Sequence, residues 1–142
     1  MAPTTEKSPH ADGRPATVAD TNVAAVIGTL SSDPKQRTLP SGDRVVNYEV
    51  TCRVDEGPAV SVPVAWFDAP KRLPKLAAGD RVVAIGHVRR RFFRAGGATA
   101  SRTEVNATWV ASYTDRSVAK LATSMAKSAV AQPHPAELAH SR

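Results

Sequence analysis

The residues best equipped for chemistry lie in one short run, Val88 to Arg94, which contains four arginines and two phenylalanines. Proteins bind unpaired nucleic-acid strands with cations that follow the phosphates and with flat side chains that stack on the bases. If the run is a β-strand, alternation places Arg89, Arg91 and Phe93 on one face. Phe92 then faces inward with the apolar positions that precede it, which are Val82, Ala84, Gly86 and Val88. The pattern predicts a binding face in which Phe93 stacks on bases and the two arginines contact phosphate.

Other basic residues lie near turns, where they could also reach a phosphate backbone. Each of them could equally be a solvated surface charge, because a cation at a turn has no need of a ligand. We include as candidates Arg94 beside the run, Lys35 and Arg37 near the first hairpin, Arg53 near the second, and Lys71 and Arg72 after the third strand.

The sequence offers no set of residues suited to catalysis. Cys52 is the only cysteine, so it can form neither an intramolecular disulfide nor a cysteine-rich metal site. It has no histidine near it in sequence, and His87 is the only histidine outside the probable tails. A nucleophile paired with a base, a carboxylate pair or a metal cluster is therefore missing. We expect a protein that is not an enzyme and that carries no metal or cofactor.

The composition of the chain indicates the kind of partner and the compartment. The chain has 142 residues, with 19 Lys and Arg against 13 Asp and Glu, a formal net charge of +6. This excess suits a polyanionic partner, although a solvated surface would have the same composition. The single cysteine favours a reducing compartment. No apolar run approaches the ~18 residues of a membrane span, and the first residues lack an apolar signal core. We expect a cytoplasmic protein, associated with the nucleoid and not with a membrane.

Strand-forming segments alternate with turn clusters between residues 20 and 113. Three strand signals come first, then residues 68–78 as the only candidate helix, weakened by Pro70 and Pro74, and then two long strands. Five strands with a helix between the third and the fourth are the order of an OB-fold. We therefore expect an all-β domain, a five-stranded OB-fold barrel with a short helical connection between strands 3 and 4.

Flexible tails are expected on both sides of this domain. Residues 1–19 are polar and rich in proline, which predicts a disordered arm. Residues 114–142 are expected to form a C-terminal tail that is partly helical, because residues 115–131 are rich in alanine and have apolar residues near helical spacing after a candidate cap at Asp115.

Several short motifs between Asp20 and Tyr113, roughly two thirds of the chain, appear in the order found in one known family. They are Ile27-Gly28-Thr29-Leu30, Asp33-Pro34, Pro40-Ser41-Gly42, Val46-Asn47-Tyr48, Val64-Ala65-Trp66, Gly79-Asp80-Arg81-Val82 and Thr103-Glu104-Val105. In this ordered set the chain resembles the bacterial single-stranded DNA-binding proteins.

The resemblance implies sequence-independent binding and protection of single-stranded DNA in replication, recombination or repair. It also implies a homo-oligomer, most often a tetramer. Phe93 matches a base-stacking position of the family, and Trp66 matches its binding face. Strand alternation leaves the second assignment open, because Trp66 follows Val60, Val62 and Val64 in one stripe. If that stripe is the core, Phe67 faces the DNA instead.

The chain also departs from the family. Its last residues are Ala139-His140-Ser141-Arg142, where the replicative members have an acidic tip with a terminal Phe that docks replication and repair enzymes. We therefore do not expect docking through such a tip. The alternative is an OB-fold adaptor whose main partner is RNA or another protein.

Overall fold

The computed structural model describes residues 20–130, which form six strands and one helix. The strands are β1 (Ala24–Leu30), β2 (Lys35–Thr38), β3 (Arg44–Cys52), β4 (Val60–Phe67), β5 (Arg81–Ala95) and β6 (Ala98–Ser112), and the helix is α1 (Asp115–Val130). The disordered arm expected over residues 1–19 lies outside the described residues, as do residues 131–142 of the expected tail.

The strands form one mixed sheet in the order β1-β5-β6-β4-β3-β2. Strand β1 also pairs with β3, so that β1, β5, β6, β4 and β3 form a ring of pairings. All pairings are antiparallel except that of β4 with β6. The prediction of a β domain is confirmed. The count of five is wrong by one short strand, because β2 pairs with β3 as a separate edge strand.

The main core lies on the inner face of this ring. Val46, Tyr48 and Val50 of β3 alternate inward, which is the period of a strand with one buried face. They pack with buried residues of the other ring strands, among them Leu30, Val64, Trp66, Val82, Ala84, Val105 and Val110. Burial raises the pKa of Tyr48 to about 12, and the nearby Arg44 charge opposes that rise.

Helix α1 covers part of the opposite, outer side of the sheet. Leu121 is buried there against Val83 and Ile85 of β5. The helix begins with a reciprocal cap: the Ser117 amide donates to Thr114 Oγ1 at 3.0 Å, and the Thr114 amide donates to Ser117 Oγ at 2.8 Å. The expected helix is therefore present, but Thr114 caps it in place of Asp115. Within the described residues, no helix has the length and apolarity that crossing a membrane requires.

The connection from β4 to β5 contains no helix, so the predicted helical connection is wrong. Residues 68–80 form only turns, bends and irregular chain. Pro70 and Pro74 lack the amide hydrogen that a helix needs, and Asp68 has a positive φ of 55°. The side chain of Arg44 replaces helical hydrogen bonds by donating to the carbonyl oxygens of Ala69, at 2.7 Å, and Pro70.

Strands β5 and β6 form a hairpin that extends past the rest of the sheet. Its turn is Gly96-Gly97, and both glycines have positive φ, as a two-residue hairpin turn of this kind requires. Strand β6 pairs with β4 only at Val105 and Asn106, so the ladder from Arg89–Glu104 to Ala95–Ala98 is two-stranded. We call this two-stranded part the ribbon. Because no third strand among residues 20–130 pairs with the ribbon, most of its residues are exposed, although Glu104 at its base is buried.

Candidate nucleic-acid interface

Strand register places six of the candidate side chains on one surface of the sheet. Directly opposed residues of neighbouring strands point to the same face. Arg37 opposes Val45, which opposes Phe67, and these positions alternate with the inward residues of β3 and β4. The same alternation places the odd-numbered ribbon residues of β5 on the side opposite the core. We call this surface the outer face; it carries Lys35, Arg37, Phe67, Arg89, Arg91 and Phe93.

Phe67 is the aromatic residue at the end of β4 on the outer face. Its side chain is half-buried, and the guanidinium carbon of Arg89 lies 4.8 Å from the centroid of its ring. Arg89 forms no salt bridge with any residue in the range 20–130. Within residues 20–130, the pair therefore joins a flat apolar surface to a positive charge that forms no salt bridge.

Phe93 lies further along β5, towards the tip of the ribbon. It is 37% exposed, and the guanidinium carbon of Arg91 lies 5.3 Å from the centroid of its ring. Arg91 also forms a salt bridge from Nε to Oε2 of Glu104 at 3.3 Å. The predicted grouping of Arg89, Arg91 and Phe93 on one face is confirmed.

Two carboxylates lie among the arginines of the outer face and reduce its positive charge. Glu104 is buried, with Arg91 on one oxygen and Arg102 Nε 4.0 Å from the other. Arg102 Nη2 also lies 2.5 Å from Oε2 of Glu49, whose Oε1 accepts a hydrogen bond from Ser61. Because a buried carboxylate needs a partner, Glu104 binds both arginines and holds Arg91 in place beside the Phe93 ring.

Sequence reasoning missed Arg102 and its two carboxylate partners. A signal for them was present: counting outward from the Gly96-Gly97 turn pairs Arg91 with Arg102 and Arg89 with Glu104, as the structure shows. The salt bridge to Glu49 joins the hairpin to β3, and nothing in the local sequence predicts it.

Trp66 is inside the protein, so its assignment to the binding face is wrong. Only 7% of its surface is exposed, and it packs in the core cluster with Val46 and Val64. The apolar stripe of β4 is therefore the core face, as alternation allowed. Phe67, the alternative, points outward.

Val88 and Phe92 are exposed, so the prediction that they are buried is also wrong. Their side-chain exposures are 47% and 65%. The alternation itself is correct, because Val88 opposes the core residue Val105. The core ends at Val105, so Val88 lies at its edge, and Phe92, further along the ribbon, meets solvent.

Four other predicted phosphate contacts are not among the strand positions that form the outer face. Arg53 is in the β3–β4 hairpin, where it donates to the carbonyl of Gly57 at 2.7 Å. Lys71 and Arg72 are exposed in the irregular connection after β4. Arg94 lies on the other face of the ribbon, opposite Thr99, and donates to the carbonyl of Gly97 at 3.1 Å.

Cys52 and the acidic residues do not form a chemical site in this part of the chain. Among residues 20–130, no group of three or more His, Cys, Asp and Glu is placed to hold a metal ion. Burial raises the pKa of the Cys52 thiol, against the effect of Arg81, and Sγ lies 3.6 Å from the carbonyl oxygen of Ile27. A thiol with a raised pKa is a weaker nucleophile at neutral pH.

The outer face thus presents two aromatic rings, each with an arginine over it, and the further cations Lys35 and Arg37. A search of protein-family models and a search of curated proteins found no match to this chain.

Proposed function

We propose that this protein binds single-stranded DNA without sequence preference on the outer face of its sheet, and that the ring of strands is an OB-fold barrel. The ring order β1-β3-β4-β6-β5 supports the fold, because an OB-fold is a five-stranded Greek-key barrel. OB-folds bind oligonucleotides on the face of their second and third strands and with the loop between the fourth and fifth. Those elements correspond here to β3, β4 and the ribbon.

The observation that carries the proposal is the repeated pairing of an aromatic ring with an arginine, Phe67 with Arg89 and Phe93 with Arg91. Each base stacked on an aromatic side chain contributes about 1–3 kcal/mol. The arginines supply cations beside each ring, and Lys35 and Arg37 extend the positive charge across β2. Since stacking does not distinguish among bases, such a surface binds single strands of any sequence.

Competition binding tests this proposal. A labelled oligo-dT is displaced by matched single-stranded DNA, duplex DNA or RNA, with wild-type protein and with the double variant Phe67→Ala/Phe93→Ala. We expect single-stranded DNA to compete best and the double variant to lose most of the affinity. If duplex DNA competes equally, or the double variant binds as the wild type does, the proposal fails. If RNA competes better than DNA, the RNA-binding alternative replaces it.

Tyr113 provides a matched control. It is an exposed aromatic residue with the guanidinium carbon of Arg81 5.0 Å from its ring centroid, the same pairing as on the outer face. Arg81 is twelve residues from Phe93 along β5, or about 40 Å at ~3.3 Å per residue. We expect Tyr113→Ala to leave DNA affinity unchanged.

Assembly into a homo-oligomer is part of the proposal. Light scattering at micromolar concentration measures it directly, and a monomer at that concentration would remove this part while leaving the DNA-binding proposal in place.

A further inference from the structure

The ribbon has a second face, on the side opposite the outer face, and the proposed function does not use its residues. We call it the back face; it carries Arg90, Phe92 and Arg94 from β5, and Val88 precedes them on the same side. The guanidinium carbon of Arg90 lies 6.0 Å from the centroid of the Phe92 ring, so the aromatic–arginine pairing of the outer face is repeated here. Phe92 is more exposed than Phe93, at 65% against 37%.

The charge of the back face differs from that of the outer face. Across the ladder, the even-numbered residues of β5 oppose Val105, Thr103, Ser101 and Thr99, none of which is charged. The outer face has Glu104 next to Arg91. Among residues 20–130, no salt bridge joins Arg90 or Arg94 to a carboxylate, so both arginines present positive charge beside an exposed ring.

An exposed phenylalanine between two arginines suits a polyanion that also carries flat apolar groups. A protein partner would match the ring but would need acidic residues for the arginines, and a single strand supplies both features at every nucleotide. The ribbon is two strands wide, and strands lie about 4.8 Å apart. A strand that leaves Phe93 at the ribbon tip can therefore pass to the other face within a few nucleotides.

We propose that the back face binds a second segment of the same single strand, so that a long strand passes around the ribbon and stacks on Phe93 and then on Phe92. This inference rests on the proposed function and adds to it a second site with its own residues. It predicts that Phe92 contributes to binding only when the strand is long enough to reach both faces.

Affinity measured against strand length tests the inference. We use oligo-dT of about 8 nucleotides, within the ~4–16 nucleotides that one OB-fold covers, and of about 32, twice the upper end of that range. Phe93→Ala should weaken binding of both lengths. Phe92→Ala should leave the short strand unchanged and weaken the long one by about fivefold to a hundredfold, the equivalent of one lost stacking contact.

A charge variant gives a second, independent measurement. Each phosphate contact contributes about 0.7 to the slope of log affinity against log salt for single strands. Arg90→Gln should lower that slope by about 0.7 for the long strand and leave it unchanged for the short one. The side chains of Phe92 and Arg90 are exposed, so Phe92→Ala and Arg90→Gln should both unfold at the wild-type thermal midpoint.

The outcomes separate the two proposals. If Phe93→Ala weakens binding and Phe92→Ala has no effect on the long strand, the back-face site is overturned and the outer face stands. An equal effect of Phe92→Ala on both lengths also overturns it, because Phe92 would then belong to the first site. A change in oligomeric state on Phe92→Ala, seen by light scattering without a change in DNA affinity, makes the back face a protein interface. If neither phenylalanine affects binding at either length, the proposed function itself fails.

Discussion

The guanidinium carbon of Arg89 lies 4.8 Å from the centroid of the Phe67 ring, so a side chain of β5 reaches across β6 to the end of β4. The guanidinium plane is itself a surface on which bases stack. A base that binds here can rest on the guanidinium or displace it from the ring. In either case the positive charge stays next to the backbone of the bound strand.

Phe93→Trp places a fluorescent side chain on the outer face, where it can report DNA binding. Phe93→Trp keeps a flat ring at an exposed position, so we expect affinity to be retained and tryptophan fluorescence to be quenched by oligo-dT. The background is small, because Trp66 is buried in the core and Trp109 lies under α1, with Lys120 Nζ 4.5 Å from its ring. Titration of the fluorescence with oligo-dT measures the effect, and the wild-type protein is the control. Equal quenching in both proteins would contradict stacking on this position.

Arg89 and Arg91 should differ in the salt dependence of binding. Arg89 has no salt bridge within residues 20–130, whereas Arg91 is partly neutralised by Glu104. We expect Arg89→Ala to lower the slope of log affinity against log salt by about 0.7, the value for one phosphate contact, and Arg91→Ala to lower it by less. Affinity measured over a series of salt concentrations decides this. A larger change for Arg91→Ala would show that DNA displaces Glu104 from it.

Trp66 should affect stability and not DNA binding. Trp66→Ala removes a buried aromatic side chain from the core cluster, which costs about 3–5 kcal/mol. Urea unfolding measures this loss, and Trp66→Phe, which leaves a smaller cavity, should cost less. The control is the affinity of the folded fraction for oligo-dT, which should be unchanged. A Trp66→Ala protein that is stable but binds DNA weakly would mean that Trp66 belongs to the interface.

Leu121 should hold α1 on the sheet. It is buried against Val83 and Ile85, so Leu121→Ala should lower the free energy of unfolding by about 2 kcal/mol, the lower end for buried leucines, because the interface is small. The emission of Trp109, which packs in the same cluster, should shift to longer wavelength. Met125→Ala on the same helix is the control, since Met125 is exposed. Equal effects of the two variants would mean that α1 is not held through Leu121.

Tyr48 should make the fold sensitive to alkali. Its pKa is raised to about 12 from the ordinary value of 10.0 because it is buried, and the unfolded chain therefore loses this proton first. The contribution of protonated Tyr48 to the free energy of unfolding is complete below pH 10. It is lost as pH rises towards 12, at up to about 1.4 kcal/mol per pH unit. Unfolding free energies of wild type and Tyr48→Phe across that window measure it. Parallel curves for the two proteins would contradict the assignment.

The elements that the sequence predicted well are those set by local pattern. The order of strand-forming segments and turn clusters predicted a β domain, and alternation along the run from Val88 to Arg94 placed Arg89, Arg91 and Phe93 on one face. At Trp66 alternation left two assignments open, and the family match favoured the one that the structure contradicts. Phe67 was identified as the alternative.

The features that sequence reasoning missed depend on how far the core extends. Phe92 has an inward position by alternation, but whether an inward position is buried depends on the strands opposite it. Between Glu104 and the hairpin turn, no third strand of residues 20–130 pairs with the hairpin. The missing helix between β4 and β5 is a different case, because Pro70 and Pro74 were visible in the sequence and their effect was underestimated.

The ring of pairings has a consequence for the order in which the chain can fold. Strand β1 is made first, yet it pairs mainly with β5, from Ala24–Gly86 to Thr29–Arg81, and meets β3 at only two positions. During synthesis on the ribosome, β1 therefore cannot pair with β5 until more than half of the domain has been made. Pairings between residues so distant in sequence slow folding, and all-β domains of this kind refold in about milliseconds to seconds. Stopped-flow refolding should place this chain in that range, with β1 among the last strands to be fixed.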